Sequence, residues 1–161
     1  MKTPTSKTTP TAPFALFALL LSTSLLNGCL HIDTPHGFVE LDDNSGYDYR
    51  ATSATGVVLA LRSEESRKDQ GGDLGFWAEA VQRKVARLGG YALLEMRDVK
   101  TRAGVPGKQL RFGHDRNQRP HHYWVTLFIQ GDDLHVVEAG GPKEAFSELE
   151  KGLDAAIASL R

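Results

Sequence analysis

Two stretches of the chain place apolar residues three or four positions apart, which is the spacing of one face of an α-helix. The first stretch begins at Asp73, whose carboxylate can cap the first turn, and it ends before Gly89–Gly90, which suits a left-handed helix stop. The second stretch follows Pro142–Lys143. The apolar positions are Leu74, Trp77, Val81, Val85 and Leu88 in the first stretch, and Phe146, Leu149, Leu153, Ala156 and Leu160 in the second. Each stretch therefore predicts an amphipathic helix.

The other apolar residues mostly alternate with polar ones, as in strands that have one covered face. Residues 47–51 alternate, residues 57–61 are apolar, and a Ser-Ala-Thr-Gly turn separates them, which predicts a hairpin. The charged segment from Ser63 to Gly72 is expected to be a solvated connection. After the first helix, turn residues divide the chain into a predicted four-stranded meander at 91–100, 107–113, 121–130 and 134–139.

A register for the middle strands of this meander follows from the turn between them. Pairing His114 with His121 places Phe112 opposite Tyr123, so that two aromatic residues share one face. The opposite face is expected to carry Trp124, Phe128 and Val136. Because both faces bear large apolar residues, both need cover. The sequence therefore predicts an α+β fold with an antiparallel sheet of about six strands sandwiched by two helices, in the order β-β-α-β-β-β-β-α.

Residues 1–28 have the order of properties of a cleaved signal peptide. Lys2 and Lys7 make the start basic, an apolar run extends from Phe14 to Leu26, and the small residue Gly28 follows. At ~1.5 Å per residue, a helix over the apolar run is too short for the ~30 Å hydrocarbon core of a bilayer. This favours a cleaved signal over a permanent membrane span.

The Leu-Asn-Gly-Cys motif at residues 26–29 resembles the signal of bacterial lipoproteins, although Asn27 departs from the usual small residue. The resemblance implies cleavage between Gly28 and Cys29 and acylation of Cys29. The chain has one cysteine, which excludes a disulfide framework and fits an attachment site. Leu30 in place of Asp implies the outer membrane, with the protein facing the periplasm. An ordinary secreted protein with a chance cysteine and an N-terminal membrane anchor are the alternatives.

The rest of the chain divides into a tether and one domain. Residues 29–45 contain few apolar positions and several turn formers, which predicts a flexible tether, and residues 46–161 form a single α+β domain. Lys and Arg together number 19 against 20 Asp and Glu, for a net charge of -1. Without a clustered basic surface, nucleic acid is not an expected partner.

Catalytic motifs are missing from the sequence. Gly107–Lys108 ends like a phosphate-binding loop, but Arg102 replaces the first glycine and Gln109 replaces the Ser or Thr that would reach magnesium. No serine lies in a Gly-x-Ser-x-Gly elbow. We therefore expect no cofactor and no enzymatic activity, with an unrecognised catalytic site as the alternative.

The best candidate site in the sequence is the hairpin at residues 114–122. His114 and His121 are predicted to point the same way with Asp115 beside them, a donor set that suits zinc or copper. Arg116 and Arg119 disfavour a cation and suit an anionic group instead, such as a lipid phosphate or an acidic partner. A solvated hairpin without a ligand is the third possibility.

Several segments together resemble the PsbP/Mog-type α/β/α fold, which includes DcrB-like bacterial lipoproteins. They are the helix leading into Gly-Gly-Tyr at 89–91, the Gly-Val-Pro-Gly-Lys-Gln-Leu segment at 104–110, the strand at 123–129 and the closing helix. The resemblance covers about residues 46–161 and implies an accessory or partner-binding role, but no functional residue of the family matches this chain. We expect a non-catalytic module, anchored to the membrane by lipid, that binds an envelope protein through an exposed apolar patch around Trp124.

Overall fold

The computed structural model describes residues 30–42, 46–65, 73–87, 90–116 and 118–161. Its elements in chain order are β1 (Phe38–Glu40), β2 (Tyr49–Ser53), β3 (Val58–Glu65), α1 (Leu74–Arg87), β4 (Tyr91–Lys100), β5 (Pro106–Arg116), β6 (Arg119–Gln130), β7 (Asp133–Pro142) and α2 (Lys143–Ala158). The strands form one antiparallel sheet in the order β1-β2-β3-β7-β6-β5-β4. The last four strands, β4 to β7, are thus a meander. This meander joins the hairpin of β2 and β3 through the pairing of β7 with β3.

Each helix covers one apolar face of the sheet. Helix α1 packs mainly on β4, β5 and β6 over residues that include Phe112 and Leu127, whereas α2 packs on β6 and β7 over Trp124 and Phe128. The predicted α+β sandwich is confirmed. Val136 was placed on the wrong face by the prediction, since β7 pairs it with Leu127 under α1.

The predicted register of the central strands is confirmed. His114 lies opposite His121, and Phe112 lies opposite Tyr123. A slip by one residue would have turned every apolar side chain to the other face, so the alternation itself specified this pairing. Strand β3 extends to Glu65, three residues into the predicted connection, because β7 pairs with it as far as Asp133. Residues 66–72 lie outside the described part.

The tether predicted for residues 29–45 is wrong over the residues that the structure describes. Residues 38–40 form β1 at the edge of the sheet, the strand that brings the sheet to seven. Ile32 is 1% exposed and belongs to the core under α2. This segment is therefore part of the folded domain, and its burial depends on contacts with the far end of the chain.

Residues 31–33 are bound to the last residues of the chain by main-chain hydrogen bonds. The N–H of His31 donates to the carbonyl of Arg161 at 2.8 Å, and the N–H of Arg161 donates back at 3.1 Å. The N–H of Asp33 donates to Ser159 Oγ at 2.7 Å. Such reciprocal bonds fix backbone in the way that a sheet ladder does, so this segment is held at the end of α2.

Asp73 caps α1 as predicted, since its Oδ1 accepts a hydrogen bond from the N–H of Phe76 at 2.8 Å. Replacing Asp73 with alanine is expected to lower the free energy of unfolding by about 1 kcal/mol, because one N–H of the first turn loses its acceptor. Urea denaturation measures the loss. Asp73→Ser, which keeps a capping oxygen, should recover most of it, and equal losses in the two variants would contradict the capping role.

A buried histidine is expected to make the stability of the fold depend on pH. His135 lies on β7 with its Nδ1 3.0 Å from Ser63 Oγ and is almost fully buried. Burial lowers the pKa of His135, although the nearby charges of Asp133 and Asp48 act in the opposite direction. Burial and the charge of Lys143 likewise lower the pKa of His122.

Acidification is therefore expected to destabilise the protein. A histidine whose pKa is lower in the folded than in the unfolded state binds its proton more readily in the unfolded state. The free energy of unfolding is therefore highest above about pH 6.5, the pKa of an unfolded histidine, and falls as the pH drops toward the pKa of the folded state. Urea denaturation between about pH 8 and pH 5 measures this loss. His135→Gln should make the free energy of unfolding depend less steeply on pH. An unchanged pH dependence would show that groups other than His135 cause it.

Candidate binding groove

Helix α1 leaves part of its own face of the sheet open. Between α1 and strands β3, β6 and β7 lies a groove of about 400 Å³. Its apolar lining consists of Trp77, Ala80, Val81 and Val85 from α1, Val125 and Leu127 from β6, and Leu134 and Val136 from β7. The volume falls in the range of small-molecule and side-chain binding pockets, roughly 300–1,000 Å³.

A carboxylate lies at the polar centre of this groove. Tyr123 Oη donates a hydrogen bond to Glu138 Oε1 at 2.7 Å, and Tyr47 lines the groove together with this carboxylate. Arg62 Nε lies 3.7 Å from Glu138 Oε2, and Arg62 forms a second ion pair with Glu64. A partly buried carboxylate is stable only when it is paired in this way.

The two tyrosines are held in their protonated form. Burial, followed by the charge of Glu138, strongly raises the pKa of Tyr123. The charge of Glu138, followed by burial, raises the pKa of Tyr47. Both hydroxyls therefore stay hydrogen-bond donors at neutral pH, and neither has the lowered pKa that a tyrosine nucleophile or base would need.

The groove continues across the hairpin formed by β2 and β3. A second hollow of about 230 Å³ shares Tyr47, Tyr123 and Glu138 with it and extends over Ala60 and Gly140. In the wall of the groove that α1 forms, the indole Nε1 of Trp77 is buried and has no hydrogen-bond partner in the described part of the chain. The surface thus combines apolar walls, a small-residue floor and polar groups gathered near the centre.

Sequence reasoning missed this groove because its polar residues come from four separate places. Tyr47 precedes β2, Arg62 lies on β3, Tyr123 on β6 and Glu138 on β7. One signal was present in the sequence. Glu138 lies between the apolar residues Val137 and Ala139 in the middle of β7, where an unpaired charge would be costly.

The hairpin at 114–122 brings His114 and His121 together but supplies little else for a binding site. His114 and His121 are directly opposed across β5 and β6. The ring of His114 stacks on Tyr91 with centroids 4.6 Å apart, and its Nδ1 is buried without a hydrogen-bond partner among the described residues. His121 Nδ1 lies 2.8 Å from the carbonyl oxygen of Arg119.

The other predicted members of that site lie at its exposed rim. Asp115 and Arg119 are exposed, and Arg116 pairs with Arg119 through the backbone, while the side chain of Arg116 is outside the described part. Across the residues that the structure covers, no group of three or more His, Cys, Asp or Glu side chains could hold a metal ion. Metal or anion binding at this hairpin stays a prediction.

The exposed patch expected around Trp124 is not there. Trp124 is 2% exposed, packs edge to face against Phe146 at 4.8 Å and lies under the guanidinium of Arg111. The reason is that α2 covers this face of the sheet. Large apolar side chains are instead exposed on the edge strands, at Val39, Leu94 and Met96, and at Phe76 on α1.

The predicted cleavage and lipidation site, Gly28 and Cys29, lies outside the described residues. Within those that are described, none of the helices has the length and apolar character needed to cross a bilayer.

A scan against protein-family models finds no match, and neither does a comparison with curated proteins. Solved structures do match. Cyanobacterial PsbP (CyanoP) from Synechocystis sp. PCC 6803 aligns at 13% identity with a TM-score of 0.58, covering 81% of this chain and 84% of its own. LpqN, involved in cell envelope biogenesis of Mycobacterium tuberculosis, aligns at 10% identity with a TM-score of 0.60, covering 79% of each chain. The Ran-binding protein Mog1p of Saccharomyces cerevisiae aligns at 14% identity with a TM-score of 0.54, covering 83% of this chain and 86% of its own. At such identities the likeness concerns the fold, and the chain has the PsbP/Mog-like α+β fold that its sequence resembles.

Proposed function

We propose that this chain is a lipid-anchored envelope protein, attached through Cys29, whose domain is a non-catalytic module that binds a protein partner in the groove beside α1. The observation that carries the proposal is the groove itself, where apolar walls surround the paired carboxylate of Glu138. Its tyrosines hold their protons and so can donate hydrogen bonds. Such a surface suits recognition better than proton transfer.

Two further observations support the envelope setting. The first 28 residues have the character of a cleaved signal, and the Leu-Asn-Gly-Cys motif ends at the single cysteine of the chain. One protein of the same fold, LpqN, is involved in cell envelope biogenesis. Leu30 after the cysteine favours the outer membrane over the inner one, with the groove exposed to the periplasm.

The partner-binding role is tested by filling the groove without disturbing the core. Ala80 lines the groove as a half-buried residue of α1, so Ala80→Phe is expected to occupy the space that a partner side chain would use. Native mass spectrometry of the protein extracted from its own membranes should show a stoichiometric companion in wild type and at least a tenfold weaker association in the variant, a change of about 1.4 kcal/mol.

Ala86→Phe is the matched control, since Ala86 lies on the same helix but is exposed and does not line the groove. It should retain the companion. A companion that survives Ala80→Phe, or is lost equally in both variants, would contradict binding in the groove. A metal ion retained by wild type and lost on joint replacement of His114 and His121 by alanine would favour the hairpin site instead.

A further inference from the structure

We propose that the domain lies directly on the membrane surface that holds its anchor, in one fixed orientation, with the C-terminal end of α2 and the turn between β4 and β5 facing the lipid phosphates. The inference rests on the proposed acylation of Cys29. It goes beyond that acylation because a lipoprotein domain on a flexible tether would have no fixed orientation and no fixed distance from the bilayer.

The first observation is that almost no free chain separates Cys29 from the folded domain. Leu30 already packs against the core under α2, and Ile32 is fully buried in that core. The main chain of His31 is bound to Arg161 in both directions. Since one residue spans at most about 3.6 Å, acylation of Cys29 would attach the lipid within a few ångströms of this end of the domain.

The second observation is which parts of the fold meet there. The N–H of Arg102, in the turn between β4 and β5, donates to the carbonyl of Ala158 at the end of α2 at 2.6 Å. Arg102 Nη1 also bonds to Asp33 at 2.8 Å, and Arg161 Nη1 bonds to the same carboxylate at 3.2 Å. The segment after Cys29, this turn and the end of α2 thus form one surface, which we call the anchor end.

The third observation is the charge of the anchor end. Arg102 and Arg161 are 59% and 60% exposed, and the carboxylate that both contact is that of Asp33. Hydrogen bonds from Arg102 and then Arg161 lower the pKa of Asp33, which keeps it ionised. Both guanidinium groups are exposed to solvent beside that carboxylate, and guanidinium groups are well suited to bind the phosphates of lipid headgroups.

With the anchor end on the membrane, the positions of the other elements relative to the bilayer follow. Strand β5 leaves the anchor end at Pro106 and reaches the 114–122 hairpin, a run of about 33 Å at ~3.3 Å per residue. The hairpin therefore points away from the membrane. The groove lies along the flank, since Glu138 is near the middle of β7, where a partner can approach parallel to the bilayer.

The orientation is tested with two fluorescent labels on the acylated full-length protein in vesicles of phosphatidylethanolamine and phosphatidylglycerol that contain nitroxide-headgroup lipids. Ala103→Cys places a label in the exposed turn of the anchor end, and Asp115→Cys places one on the exposed far hairpin. The label at residue 103 should be quenched several-fold more strongly than the label at residue 115.

A flexible insertion supplies the control. A Gly/Ser segment of about 12 residues between Cys29 and Leu30, with a root-mean-square span of roughly 20 Å, should remove most of the difference between the labels. Equal quenching of the two labels in protein whose intact mass includes the acyl chains would overturn the orientation and leave the anchor standing. An intact mass without acyl chains would overturn the anchor, and the orientation with it.

Discussion

Replacing Ile32 with alanine is expected to lower the free energy of unfolding by about 3 kcal/mol, within the roughly 2–5 kcal/mol range for deleting a large buried aliphatic side chain. Ile32 is 1% exposed and packs in the core under α2. The variant loses the transfer free energy of three carbon atoms and leaves a cavity that the reciprocal bonds between His31 and Arg161 keep from collapsing. Urea denaturation of the domain measures the change.

Val39→Ala is the matched control for this prediction. Val39 lies seven positions further along the same segment, but it is 68% exposed on the edge strand β1. Its replacement is expected to change stability by less than about 1 kcal/mol, because little apolar area is lost and only strand propensity changes. If Ile32→Ala also lowered the free energy of unfolding by less than about 1 kcal/mol, residues 30–33 would behave as a tether. The proposed fixed orientation of the anchor end would then have no structural support.

The second large effect is expected at Arg111, whose replacement by methionine should cost roughly 2 kcal/mol, since hydrogen bonds to charged groups contribute about 1.5–3 kcal/mol. Arg111 Nε donates to Oε1 of the fully buried Gln109 at 2.8 Å, and Nη1 donates to Glu150 on α2 at 2.9 Å. Its guanidinium carbon lies 3.8 Å from the centre of the Trp124 ring. Methionine keeps the apolar stem but removes one of the charges that join α2 to the sheet.

Thermal and urea unfolding of Arg111→Met should be compared with those of Arg83→Met. Arg83 pairs with Glu79 across one turn of α1 at 3.2 Å, and both side chains are mostly exposed. Solvent screens such a pair, so its loss is expected to cost less than about 0.5 kcal/mol. Similar losses in the two variants would mean that the charged network under α2 contributes no more than a surface ion pair.

The sheet and helices could be predicted from the sequence because their signals are local. The turn between β5 and β6 and the alternation on either side of it specify the pairing of Phe112 with Tyr123. Asp73 marks the start of α1 through a hydrogen bond to a residue three positions away. Each of these features depends on residues close together in the chain, where spacing alone carries the information.

The features that the sequence did not reveal depend on distant contacts. Ile32 is a single apolar residue in a segment rich in turn formers, and its burial follows from pairing with residues more than 120 positions away, as in the bond from Asp33 to Ser159. The groove likewise depends on how far α1 extends across its face of the sheet. No periodicity in α1 indicates that it leaves the part of the face around Glu138 open.

The burial of Trp124 also depends on contacts that the sequence pattern does not reveal. Alternation placed Trp124 correctly on the face opposite Phe112 and indicated that this face needs cover. It did not indicate how complete the cover is, since that depends on Phe146 and Arg111 closing over the indole from two elements. An apolar face with a helix available to cover it is more often core than an interaction surface.

The attachment of this domain is tested most directly by the intact mass and N-terminal sequence of the protein extracted from its own membranes. We expect a chain that begins at Cys29 and carries two or three acyl chains, enough for firm membrane retention, and we expect Cys29→Ser to abolish both the mass increment and the cleavage. A chain that begins at another residue, or one that begins at Cys29 with an unmodified thiol, would contradict this attachment.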